Sequence, residues 1–222
     1  MKAKIVSFER LKGENIFLKV QPNENFDFKA GQFFMIKIGK DEKPFSIASF
    51  PGENTIDFLI SVHPDGTVTP KLNRMNVGDS FEIEGPYGVF NVRDTNAKEI
   101  FFIAAGTGIA PFRSMIMEAL QRFPKKKVKL IFGFRDVFYF EHFWKELESS
   151  YKNFSLVPCC TKPEKNWKGN VGRVTSYLEK EIKNAKDKEV YICGPPQMVM
   201  DTRIILENRL GFDKEKIYVE KW

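Results

Sequence analysis

The hydrophobic period of this chain changes once, near residue 92, and that change limits the fold more than any other feature. Upstream, apolar residues alternate with polar ones, as in Ile16-Leu18-Val20, Ile56-Phe58-Ile60-Val62 and Phe81-Ile83. Turn residues punctuate the runs at Gly31, Pro51-Gly52, Pro64-Asp65-Gly66 and Gly85-Pro86. A period of two describes half-buried strands, so this part is expected to form an antiparallel β-barrel. Downstream the pattern becomes strand then helix, repeatedly. Strands are expected near residues 99–104, 127–133, 154–159, 188–193 and 216–220, a five-stranded, doubly wound parallel sheet of the α/β class. The polar stretch Arg93 to Lys98 sits between the two patterns. It places one domain at residues 1–95 and a second at 96–222.

Composition narrows the function classes. The chain has 222 residues, of which 42% are hydrophobic, so it can bury a substantial core. No apolar run reaches the length that spans a bilayer, and the first ten residues have no apolar signal region, so a cytoplasmic protein with no membrane span is expected. Three cysteines, two of them the adjacent Cys159-Cys160, match no disulfide framework, metal site or iron–sulfur spacing. The net charge of +6 comes from scattered lysines rather than one basic block, which disfavours nucleic-acid binding.

The stretch Ile100 to Pro111 points to chemistry. An apolar strand runs straight into Gly106-Thr107-Gly108-Ile109-Ala110-Pro111. Glycines there allow positive φ and close backbone approach, and Pro111 suits the first position of a helix, whose free N–H groups attract anions. The helix that follows carries its buried stripe at Phe112, Met115, Ile116, Ala119, Leu120 and Phe123. Pro111 stands where a dinucleotide fingerprint has its third glycine, and no P-loop lysine follows. A phosphate-bearing ligand and a plain strand-to-helix turn both fit these residues.

The first half has signals of its own. In Lys43-Pro44-Phe45-Ser46-Ile47-Ala48-Ser49, alternate residues share a face of an extended chain, so Lys43 and Phe45 present a cation and a flat ring together. An edge strand with a solvated lysine and a core phenylalanine fits the same spacing. In Gly66-Thr67-Val68-Thr69-Pro70, Thr69 reads as an N-cap and Pro70 as the first residue of a short helix over Lys71 to Met75, whose amides could hold a phosphate.

These stretches, together with Gly31-Gln32-Phe33, Gly85-Pro86-Tyr87-Gly88 and Cys193-Gly194-Pro195-Pro196, occur in an order that resembles the ferredoxin:NADP reductase family. That family includes reductase components of bacterial oxygenases and NAD(P)H:flavin reductases. The resemblance covers nearly the whole chain. It implies a Greek-key, FAD-binding barrel followed by a nicotinamide nucleotide-binding α/β domain. The family's Arg-x-Tyr-Ser roles fall here on Lys43, Phe45 and Ser46: flavin phosphate, ring packing, and a hydroxyl bonding near flavin N5. Pro44 and Ile47 belong to the same segment. Lysine keeps the charge of arginine without its bidentate fork, and Phe45 lacks the tyrosine hydroxyl.

By the same resemblance Gly66, Thr67, Val68 and Thr69 hold the FAD pyrophosphate. Gly106, Thr107, Gly108 and Pro111 receive NADPH or NADH, and Cys193, with Gly194 and Pro195, stands beside nicotinamide C4. The segment Val219-Glu220-Lys221-Trp222 is similar to the family's terminus, in which the last ring covers the flavin, so Ser46, Cys193, Glu220 and Trp222 are the expected catalytic residues. Arg135, with Asp136, and Thr161-Lys162 end strands where the adenosine 2′-phosphate or ribose is read. Hydride transfer between stacked rings needs geometry rather than an acid or base, and neither His63 nor His142 sits in a motif that requires one. The implied activity is an FAD-dependent NAD(P)H reductase passing electrons to a separate acceptor, such as an acidic redox protein steered by the positive charge. A flavin reductase that releases its product and a non-autonomous electron-transfer subunit are the alternatives.

Overall fold

The computed structural model describes residues 1–221. The chain divides into two compact units, residues 1–92 with 110–115, and residues 93–109 with 116 onward. Six strands build the first unit: β1 (Lys2–Leu11), β2 (Asn15–Pro22), β3 (Phe33–Ile38), β4 (Asp41–Ser46), β5 (Ile56–Ser61) and, after the short helix α1 (Thr69–Asn73), β6 (Ser80–Tyr87). Every pairing is antiparallel, in the order β4-β3-β6-β1-β2-β5. The sheet curls until its ends meet. Past β4, the Ile47 N–H donates to the Gln32 carbonyl at 3.0 Å and the Ala48 N–H to the Asp57 carbonyl of β5 at 2.8 Å. The result is the barrel that the alternating pattern predicts, and its core collects the inward set Ile5, Ile16, Leu18, Val20, Phe58 and Ile83.

Residues 110–115 are anchored on this barrel by a buried cation. The Arg113 guanidinium donates to the Ala48 carbonyl at 2.8 Å and lies 3.5 Å from Asp57, whose other carboxylate oxygen is 3.1 Å from Lys19. Burial pulls the Arg113 pKa below its ordinary value, and the Asp57 charge opposes that shift.

The second unit holds β7 (Glu99–Ala105), a 3₁₀ turn at Gly106–Ile109, the part of α2 (Phe112–Arg122) beyond residue 115, β8 (Lys127–Phe134), α3 (Glu141–Ser150), β9 (Phe154–Cys160), β10 (Asn170–Val171), α4 (Leu178–Ile182), β11 (Lys188–Gly194), α5 (Pro196–Asn208) and β12 (Ile217–Lys221). All pairings are parallel, in the order β10-β9-β8-β7-β11-β12. The five strands expected from the sequence are present, and the sheet has a sixth. That strand, β10, is two residues long and lies in a polar stretch, so it has no hydrophobic period to betray it. One sheet face packs Phe101, Ile103, Ile131, Val190 and Ile192 against Leu178, Val199 and Leu206 of α4 and α5. The alternate residues Ile100, Phe102, Ala104 and Leu130 are equally buried, as in a sheet covered on both faces.

Candidate cofactor-binding sites

In the first unit the candidate residues line the end of β4. Phe45 pairs across the ladder with Phe34 and packs part of its ring on the barrel core, leaving it half-buried. Lys43, two residues before it, is exposed and makes no ion pair among the described residues. Ser46 is 8% exposed, yet its hydroxyl has no hydrogen-bond partner among the described residues. The cation and the hydroxyl thus stand ready for an anionic, ring-bearing ligand. Pro44 is half-buried, whereas Ile47 spends its side chain on the core and its N–H on Gln32.

The loop at residues 66–69 differs in detail from the expectation. Thr69 is not the N-cap. It is the first residue of α1, Val68 precedes it as N-cap, and the helix ends at Asn73 rather than Met75. The Thr69 hydroxyl instead accepts from the His63 N–H at 3.0 Å, closing the loop on itself. Gly66 fits inside that closure, since a Cβ there would sit 3.0 Å from the His63 carbonyl oxygen and 3.1 Å from Thr69 Oγ1. Val68 is buried and Thr67 exposed. The first turn of α1 has no side-chain cap, and since Pro70 has no N–H and the Leu72 N–H donates to the Val68 carbonyl, an anion there could meet only the Thr69 and Lys71 N–H groups.

In the second unit the two loop glycines do different work. Gly106 adopts φ +57° with open space around it, which suits close approach by a ligand. Gly108 has no positive φ. A Cβ there would lie 2.5 Å from the Cys193 carbonyl oxygen and 2.6 Å from Gly194 Cα, so it is the partner backbone, not a ligand, that excludes a side chain. Pro111 precedes α2, which begins at Phe112, and its carbonyl accepts from the Met115 N–H at 3.2 Å, so Pro111 stands at the cap rather than inside the first turn.

The carboxyl ends of β7, β8, β9 and β11 open onto a cleft of about 380 Å³. Gly106, Arg135, Thr161 and Pro195 line it, four of the residues expected from the sequence. Thr107, Lys162 and Gly194 do not. Arg173, Thr175, Gln197 and Asp201 also line it and were not foreseen. Gln197 directly follows the Gly194-Pro195-Pro196 motif and could have been inferred from it. Arg173 follows Gly172 in a loop with no periodic signal, and only the fold delivers it. Gln197 donates to Asp201 at 2.8 Å, which holds that carboxylate on the α5 wall.

Cys193 is fully buried at the end of β11 and pairs in register with Glu220 of β12. The Glu220 Oε2 atom is buried with no hydrogen-bond partner among the described residues. Desolvation alone pushes this carboxyl up to about 8, so it stays protonated through neutral pH. A buried acid without a partner is a candidate functional group. Trp222 lies outside the described residues. His142 is fully on the surface of α3, 98% exposed and facing Glu146.

Residues 10–92 match the oxidoreductase FAD-binding domain and residues 102–203 the oxidoreductase NAD-binding domain. The 2-halobenzoate 1,2-dioxygenase electron transfer component of Burkholderia cepacia is 30% identical over 194 residues, covering 84% of this chain and 56% of that protein. The sulfhydrogenase 1 subunit gamma of Pyrococcus furiosus is 33% identical over 208 residues, covering 88% of this chain and 68% of that protein. The chain therefore spans little more than half the length of some curated relatives. A ferredoxin NADP+ reductase from Neisseria gonorrhoeae with bound FAD and NADP superposes with a TM-score of 0.82 at 22% identity, covering all of this chain and 98% of that one. No helix among the described residues is long and apolar enough to cross a membrane.

Proposed function

This chain belongs to the ferredoxin:NADP reductase family of FAD- and NAD(P)H-binding oxidoreductases, and from that premise we propose that it oxidises NAD(P)H through a bound FAD and hands the electrons to a separate acceptor protein. The observation that carries the reading is what stands at the end of β4: an exposed Lys43 cation, a half-buried Phe45 ring and the Ser46 hydroxyl. A bound flavin takes a hydride and releases electrons one at a time, which is the chemistry the acceptor needs.

The chain's own residues supply binding and orientation. Lys43 meets a phosphate, Phe45 offers its exposed ring surface, Ser46 donates or accepts at the flavin ring edge, and the uncapped first turn of α1 takes a second phosphate. In the second unit the backbone at Gly106 approaches the nucleotide, with Arg135, Thr161 and Pro195 along the same cleft. Glu220 holds a proton at its carboxyl in the neutral range. Cys193 and Gly194 set the floor on which Gly108 rests. We take the domain boundary to fall at residues 95/96. The three cysteines are buried and form no disulfide among the described residues, which fits a reducing cytoplasm.

The acceptor is an acidic redox protein or oxygenase component, in keeping with the net charge of +6. A second reading, release of reduced flavin as product, draws on Lys43 and Phe45, which offer flavin a weaker hold than arginine and tyrosine would. Purification separates the two. A yellow protein whose flavin is bleached anaerobically by NAD(P)H supports the first. A colourless protein that reduces added flavin supports the second. A protein that binds no flavin and oxidises neither nucleotide refutes both.

A further inference from the structure

We propose that Arg113 is a positioning residue for the flavin site: its guanidinium holds the Ala48–Phe50 turn against β5, and that turn sets where the Ser46 hydroxyl stands. The inference deepens the reductase reading above and rests on it.

Ser46 ends β4, and Phe33 of β3 is its partner in the ladder. Past this point the chain leaves the ladder and needs other anchors. The Ile47 N–H donates to the Gln32 carbonyl, and the Ala48 N–H to the Asp57 carbonyl. The fully buried Ser49 accepts at its hydroxyl from the Asp57 N–H at 3.1 Å. Arg113 then takes the Ala48 carbonyl, donating from Nη1 at 2.8 Å. The same guanidinium lies over the Phe50 ring, 5.1 Å from its centroid. One side chain thus meets the turn at the second and fourth residues past Ser46. Ile47, between Ser46 and Ala48, is fully buried in the barrel core. A close-packed link of this kind passes a displacement of Ala48 on to Ser46 instead of absorbing it.

The distances rank what Arg113 does. Its contact with Ala48 is a full hydrogen bond, whereas Asp57 Oδ2 stands at 3.5 Å, the outer limit of one. Asp57 has a nearer cation in Lys19, at 3.1 Å. A buried ion pair is in any case a poor source of stability, because desolvation offsets the attraction. Nor does α2 need this residue for its packing, since the helix already buries Phe112, Met115 and Ile116 completely. What an arginine supplies here is a planar donor that meets a carbonyl, a carboxylate and a ring together, and so fixes one arrangement of the turn.

Anaerobic rapid mixing of the flavin-loaded protein with saturating NADPH or NADH tests this in a double-mutant cycle with Ser46→Ala. Arg113→Met, which packs without a charge, is expected to slow flavin reduction about tenfold. Arg113→Lys keeps a donor but not the planar fork, and should recover part of that loss. In the Ser46→Ala background Arg113→Met should add little, because it acts through that hydroxyl. An arginine that only supports the fold behaves otherwise. Its loss would multiply that of Ser46→Ala to about a hundredfold, or would lower the thermal midpoint while the reduction rate stayed at the wild-type value. Either result overturns the proposal. Should Arg113→Met not fold, Arg113→Lys carries the same cycle, and a lysine variant that reduces at the wild-type rate overturns it as well. Failure of the reductase reading looks different: the flavin of the wild type would then stay oxidised with both nucleotides.

Discussion

Ser46, Lys43 and Glu220 are polar groups that the protein itself leaves incomplete, and each therefore gives a different measurable signature. On the proposed reading, removing the Ser46 hydroxyl takes away one hydrogen bond at the flavin ring and leaves the phosphate contacts alone. Ser46→Ala is expected to slow anaerobic flavin reduction by about tenfold, with flavin affinity changed much less. Lys43→Ala does the reverse, because a charge on a phosphate holds the cofactor rather than tunes its ring. It should raise the flavin dissociation constant about tenfold or more at low salt, and the difference should shrink as salt rises. Fluorescence titration of apoprotein with FAD checks the affinities, and anaerobic rapid mixing with NAD(P)H checks the reduction rate. Glu220 is legible from pH. Its carboxyl binds a proton more tightly when folded than when unfolded, so its contribution to stability is full below the ordinary value of 4.5 and is lost as pH rises through about 8. The thermal midpoint should therefore fall between about pH 5 and about pH 9, and Glu220→Gln should flatten that slope.

Among the elements, the turn after β7 shows how far sequence reasoning reaches. An apolar run ending in two glycines is enough to place a strand and a tight turn, and the strand ends where expected. Which glycine serves the ligand depends on what lies across the sheet, and that is fixed only when β11 brings Cys193 and Gly194 alongside. Gly106→Ala meets no neighbour and carries only the strain of its positive φ, about 1 kcal/mol. Gly108→Ala must displace backbone and is expected to cost about 2 kcal/mol or more, read as a lower denaturation midpoint with an unchanged slope. A Gly108→Ala protein as stable as the Gly106→Ala protein would contradict the assignment. Thr69 teaches the same lesson. Its residue type reads as an N-cap, but a nearby backbone donor at His63 claims the hydroxyl first. Likewise β10 has too few residues to carry a period, and Arg173 enters the cleft only because β10 docks on β9.

At the scale of the whole molecule, a change of hydrophobic period was sufficient to separate a barrel from a parallel sheet, because period follows directly from which faces each architecture buries. The assembly of the cleft was only partly legible, since its walls come from strand ends far apart in sequence. Net charge acts at this scale too. If an acidic acceptor docks by charge, its reduction should slow as ionic strength rises while reduction of the flavin by nucleotide does not. The central claim is that one chain carries both halves of a hydride relay. Anaerobic rapid mixing of the flavin-loaded protein with NADPH or NADH tests it most directly. Bleaching of the bound flavin in a single, saturable phase that precedes any acceptor is the predicted result, and a flavin that stays oxidised with both nucleotides contradicts the account.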